Sequence, residues 1–122
     1  MKQELTGNFR GVLRHEFLAG EGSFLLKLKT EMVWDKEAFS VLISAMRECC
    51  DELEGSEVLE RWLAEGFWYL STFVRDHTMH PHFERVYPMH YYERSFKQLF
   101  DLADWFFTEQ YPYNKRRNTD FT

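Results

Sequence analysis

No apolar run in the chain approaches the roughly 20 residues needed to cross a bilayer. The opening residues, Met1 to Gly7, carry no apolar stretch of the signal-peptide type. A protein of the cytoplasm, with no part in a membrane, is the expectation. Glycine and proline are scarce, six and three in 122 residues, and they stand at a few joints, which excludes a low-complexity chain. The two cysteines, Cys49 and Cys50, are neighbours. Adjacent cysteines close no useful loop, so a disulfide framework is excluded. Two reduced thiols are expected instead, one of them facing the core. Basic charge is also short: 15 Lys and Arg stand against 20 Asp and Glu, for a net charge of −5. The deficit is local, since residues 21–60 hold four basic and ten acidic side chains while residues 61–100 hold five and four. That balance excludes a general nucleic-acid binder, which needs a basic face. The acidic stretch over 35–60 suits a basic protein partner.

What the chain has in quantity is aromatic rings: 12 Phe, 6 Tyr and 4 Trp, 18% of all residues. A chain of this length forms one domain and buries about two-thirds of its unfolded surface. So many rings fill a core, an interface, or both. Their spacing is helical. Phe9, Val12, Leu13 and Phe17 mark one face of a first helix over 8–19, which Ala19-Gly-Glu-Gly22 ends. Residues 23–34 fit either state: Phe24, Leu26 and Leu28 alternate as in a strand, whereas Leu25, Leu28 and Met32 fit a helix capped by Ser23. With no second strand to pair with, helix is the expectation.

Three longer helices follow. One spans 36–54, capped by Asp35, with Phe39, Leu42, Met46, Cys49 or Cys50, and Leu53 on one face, and Gly55 stops it. The next, 57–77, is capped by Ser56 and carries Leu59, Trp62, Leu63, Gly66, Tyr69, Leu70 and Phe73, with His77 one turn on. Phe67, Trp68 and Val74 widen its apolar surface beyond one stripe, as in a central or interfacial helix. Gly66 marks a close helix crossing. The last, 89–109, follows Pro88 and shows Tyr92, Phe96, Leu99, Ala103 and Phe106, with Phe100 and Phe107 flanking. These spacings predict an all-α bundle of four to five helices over residues 1–112, and a polar, mobile tail over 113–122.

Between the last two helices lies the most chemical stretch of the chain, Phe73 to Phe83, with His77, His80 and His82 beside Arg75 and Asp76. As a structural joint, it would make Arg75 and Asp76 a surface pair of little value and His77 a cover for the bundle end. As a metal centre, His77, His80 and His82, with His90 or Glu93 fourth, have the reach for zinc or nickel. No cysteine joins them and no carboxylate stands behind them, so neither metal nor cofactor is expected. As a phosphodiester site, arginine's planar fork matches phosphate and histidine gives and takes protons near neutrality.

Arg75-Asp-His-Thr-Met-His80 resembles the motif of the HEPN superfamily, the higher eukaryotes and prokaryotes nucleotide-binding domains. The resemblance covers roughly residues 57–109. It implies a compact all-α bundle, often dimeric, whose motif lies near the end of one long helix with another following. It implies metal-independent cleavage of RNA where the motifs of two protomers meet. Arg75 would hold the scissile phosphate, His80 would act as acid or base, and Asp76 would orient them. Arg10 with His15, and Arg85 with His90, repeat the spacing, but only the Arg75 pair has an acidic neighbour at the end of a strong helix. The function so implied is a ribonuclease component of a toxin–antitoxin or defence system, acting as a homodimer. The alternative is a non-catalytic interaction module, an antitoxin or immunity type of partner that uses its acidic face.

Overall fold

The structure, a computed structural model, describes residues 8–109, so the expected tail lies outside the described residues. These residues form α1 (Phe9–Phe17), α2 (Phe24–Leu26, continued by one π-helical turn, Lys27–Glu31), α3 (Lys36–Glu52), α4 (Arg61–Thr78) and α5 (Met89–Thr108). No strand occurs among them, and the architecture is a compact all-α bundle. No helix among them is long and apolar enough to cross a membrane.

The ambiguous stretch 23–34 is helical at first. Ser23 Oγ accepts from the Leu26 amide at 3.1 Å, and Phe24, Leu25 and Leu28 are buried together. The run then widens into the π-helical turn and stops where Met32 takes a left-handed conformation, φ 57°. The end of α1 differs in detail from expectation. Ala19, not a glycine, takes the left-handed position after the helix (φ 56°), and Gly22 takes a second one (φ 82°).

Asp35 caps α3 as its position suggests: Oδ1 accepts from the Ala38 amide at 3.1 Å, while Oδ2 meets Lys27 Nζ at 2.6 Å. Both Cys49 and Cys50 are buried, where the spacing allowed only one to face the core. They sit between α3 and its neighbours, and Cys50 Sγ approaches the Leu102 carbonyl of α5 at 3.6 Å. Burial pushes the Cys49 thiol up to about 12 and the Cys50 thiol higher still, so neither is a reactive thiolate near neutrality.

The fourth helix begins at Arg61, four residues later than expected. The Ser56 hydroxyl donates to its neighbour Val58's carbonyl at 2.8 Å and holds 56–58 in a local turn instead of capping a helix. Glu60 then stands in an extended conformation at the true N-cap. Its carboxylate pairs with Arg10 of α1 and accepts from Trp62 Nε1 at 3.0 Å.

Packing is pairwise: α1 lies on α3, α4 on α5, α3 on α5, and the π-helical turn on α4. Phe67, early in α4, stacks on Phe106, late in α5, with centroids 4.3 Å apart. Because the joint links the other two ends, α4 and α5 run antiparallel. Trp34 is the second centre. Its ring meets Phe24 at 4.9 Å, Phe39 at 5.0 Å and Tyr92 at 5.2 Å. Its Nε1 donates to the Tyr91 hydroxyl at 3.0 Å. Edge-to-face rings of this kind add about 0.5–1.5 kcal/mol per pair beyond the area they bury.

Candidate functional site

The α4–α5 joint holds all the residues singled out from the sequence, but it uses them unequally. His77 is structural. It is half-buried, stacks on Phe73 at 4.9 Å, and places Nε2 2.9 Å from the Leu28 carbonyl. A carbonyl only accepts, so Nε2 carries the hydrogen and binds the π-helical turn to the end of α4. Phe83, buried beneath it at 6.0 Å, anchors the joint. Arg85 is structural as well: Nη1 donates to the Thr78 carbonyl at 2.9 Å and to the His80 carbonyl at 3.4 Å. It thereby caps the C-terminus of α4, where cations are favoured.

Arg75, in the last turn of α4, and His80, just beyond it, are both exposed. Among the described residues no hydrogen bond or ion pair engages the Arg75 guanidinium or the Asp76 carboxylate, and none joins the two to each other. Asp76 therefore does not orient His80 here. A backbone group does: the His82 amide donates to His80 Nδ1 at 3.1 Å, and the two rings stack at 5.1 Å. With Nδ1 accepting, the neutral ring carries its proton on the exposed Nε2. His80 thus offers Nε2–H as a hydrogen-bond donor, and to give or take a proton its ring must first release the His82 amide. Among the described residues no group of three or more His, Cys, Asp or Glu is arranged to hold a metal ion, so His77, His80, His82 and His90 are not gathered round a common point.

The other two copies of the Arg–His spacing are committed elsewhere. Arg10 is ion-paired to Glu60 and lies over the Phe9 ring at 4.9 Å. Arg85 is the cap just described.

A sizeable concavity among the described residues lies elsewhere, and sequence reasoning did not find it. A groove of about 730 Å³ runs between α1, the π-helical turn and the middle of α4. Buried Leu25 and Leu70 and half-buried Phe17, Trp62 and Tyr69 line it. Arg14 lies over the Trp62 ring at 4.2 Å, and Lys29 lies 5.7 Å from the centroids of both Tyr69 and Phe73. Leu18 and Trp68 stand at its edge, 73% and 61% exposed. Exposed apolar side chains gathered at a concavity mark a binding surface. The sequence carried one sign of it, Trp68 outside the main stripe of α4. The cations come from segments 48 and 33 positions away from Trp62, and only folding brings them there.

Compared with family models, with curated proteins and with solved structures, the chain matches none.

Proposed function

We propose that the protein is a helical interaction module that pairs with a second copy of itself through the outer face of α5. The observation that carries this reading is a line of apolar residues along α5 at the margin of its buried face, exposed at Met89, Phe100 and Phe107, with Phe96 half-buried against Trp34 between them. Met89, Phe96, Phe100 and Phe107 recur at intervals of seven, four and seven, one line along a helix. Met89, Phe100 and Phe107 are 38%, 65% and 43% exposed. Leaving rings of this size in water forfeits about 1.5–3 kcal/mol each, which a partner surface recovers. Glu93, Arg94 and Lys97 are exposed on the same helix, so both signs of charge accompany the apolar line. A two-fold axis makes such contacts reciprocal, and Lys97 is already paired with Asp101 of its own helix at 2.7 Å, so Glu93 and Arg94 are the charges left to meet a second copy.

Sedimentation equilibrium should find a dimer of the wild-type chain. The Phe100→Glu/Phe107→Glu variant should be a monomer with unchanged helical circular dichroism. A wild-type chain that stays monomeric at every concentration, or a variant that stays dimeric, would exclude this surface.

A second reading, an RNA-cleaving dimer with Arg75 and His80 at the joint, is favoured by one observation. Of the three arginines with the motif's spacing, Arg75 alone is left uncommitted among the described residues. In that reading Arg75 stabilises charge on the phosphoryl oxygens and His80, released from the His82 amide and in its imidazolium form, protonates the leaving oxygen. General acid–base catalysis of this kind contributes about 10²–10⁴-fold. Wild-type dimer should then cut single-stranded RNA in EDTA and leave cyclic phosphate ends. Arg75→Ala and His80→Ala should each abolish cutting, and the double variant should be no worse than either, because groups acting as a unit are not additive. No cutting by a clean dimer leaves the interaction module alone.

A further inference from the structure

We infer that the groove between α1, the π-helical turn and α4 is a docking site for a segment of a partner protein that carries acidic and bulky apolar side chains together. It is a different surface from the outer face of α5 and does not depend on it.

The charge of the groove runs against that of the chain. In a chain of net charge −5, this concavity is bordered by two exposed cations, Arg14 and Lys29, against a single carboxylate, Glu65. Both cations are held on aromatic faces, at 4.2 Å and 5.7 Å. No hydrogen bond or ion pair to a carboxylate engages either one among the described residues; Glu60 feels the Arg14 charge without a direct bond to it, and is paired with Arg10 and bonded to Trp62. A cation held on a ring is positioned without being neutralised, and it is worth more as water is displaced around it. It is therefore ready to meet an incoming carboxylate.

Beneath the cations the surface is apolar. The lining includes buried Leu25 and Leu70 and half-buried Phe17, and Leu18 and Trp68 are offered to solvent. An apolar side chain entering between them removes water from both sides, and the rim cations then bind its acidic neighbours. This is the ordinary anatomy of a recognition site, with an apolar centre and a polar rim. Gly66 belongs to the lining too, and any Cβ there would fall within 2.1 Å of the Phe17 ring. The glycine lets the Phe17 ring, at the end of α1, seat against the backbone of α4.

The same details disfavour a single-stranded nucleic acid. Bases need free ring faces on which to stack. Here Arg14 covers one face of Trp62, while Tyr69 and Phe73 stack on each other at 5.0 Å beneath Lys29, which leaves Trp68 as the exposed ring of the groove and no row of them. Two cations beside a carboxylate also make a poor track for a phosphate backbone.

The test is selection of binders from a displayed library of random peptides on the full chain. Arg14→Glu/Lys29→Glu replaces two exposed residues, so it should keep the helical spectrum and the oligomeric state. Selected peptides should be enriched in Asp and Glu beside Leu, Phe or Trp. By fluorescence anisotropy they should bind the variant at least about tenfold more weakly. Replacing their acidic residues with lysine should abolish binding to wild type and restore binding to the variant. The proposal is overturned by a selected pool with no acidic enrichment, or by equal affinity for wild type and variant. It is also overturned if a uridine oligomer displaces the peptides from the groove, since the site would then be one for nucleic acid.

Discussion

Glu16 shows how one residue sets a cost against a constraint. Its side chain is buried under the start of α2, where Oε1 and Oε2 accept from the Phe24 amide at 3.1 and 3.2 Å. The carboxylate thus serves an amide that has no partner within its own helix. Burial raises its pKa above the ordinary value and outweighs the backbone bonds, which act the other way. The folded state therefore holds the proton more tightly than the unfolded chain does. Its contribution is most favourable below the unfolded value of about 4.3 and is lost as pH rises through the higher folded value. Glu16→Gln keeps an acceptor for Phe24 and removes the charge. We expect the variant to unfold at higher urea concentration than wild type at pH 7, with the difference shrinking as pH falls towards 4. Glu16→Ala strands the amide and should cost about 1–3 kcal/mol. A Gln variant less stable than wild type at pH 7 would mean that the bonds to the ionised form outweigh its burial.

Between elements, a tight constraint is the seat of the Phe17 ring, at the end of α1, on Gly66 of α4. A Cβ on Gly66 would lie 2.1–2.5 Å from three atoms of the Phe17 ring. The neighbour is the stem and side of a ring held against Trp62 and Phe67, both at 6.1 Å, and it cannot swing aside cheaply. Alanine is favoured over glycine inside a helix by about 1 kcal/mol. Overpacking a filled contact costs about 1–3 kcal/mol, so the clash should outweigh the gain in helix propensity. Gly66→Ala is therefore expected to lower the melting temperature and loosen α1, seen as faster amide exchange over residues 9–17. A rise in melting temperature would show that α1 can shift without loss.

At the scale of the whole molecule, three surfaces are separated. The apolar stripe runs along α5, the cationic groove lies across α1 and α4, and the Arg75–His80 joint closes one end. If pairing through α5 and folding are linked, the melting temperature of wild type should rise with protein concentration. The Phe100→Glu/Phe107→Glu variant should lose that dependence. The acidic excess of residues 21–60 sits mainly on α3 and the turn after it, with Asp51, Glu52 and Glu54 exposed there. It leaves the groove as a local basic site on an acidic body. Opposite potentials on one small domain favour oriented association over general adhesion.

The class of the fold was legible in the sequence because helix periodicity is a local property. Leu42, Met46 and Cys49, or Leu63, Leu70 and Val74, report their common face within a few turns, and the caps Ser23 and Asp35 act on amides three residues away. Where a side chain had a nearby competitor, local reasoning failed: Ser56 turned to Val58 and the helix began at Arg61. The joint was visible as a cluster of types, but its division of labour was not. Only tertiary contacts commit His77 to Leu28 and Arg10 to Glu60 and leave Arg75 uncommitted. The groove was beyond any reading of spacing. Arg14, Lys29 and Trp62 come from three separate segments, and a cation finds a ring across such distances only after hydrophobic burial has fixed where the helices cross.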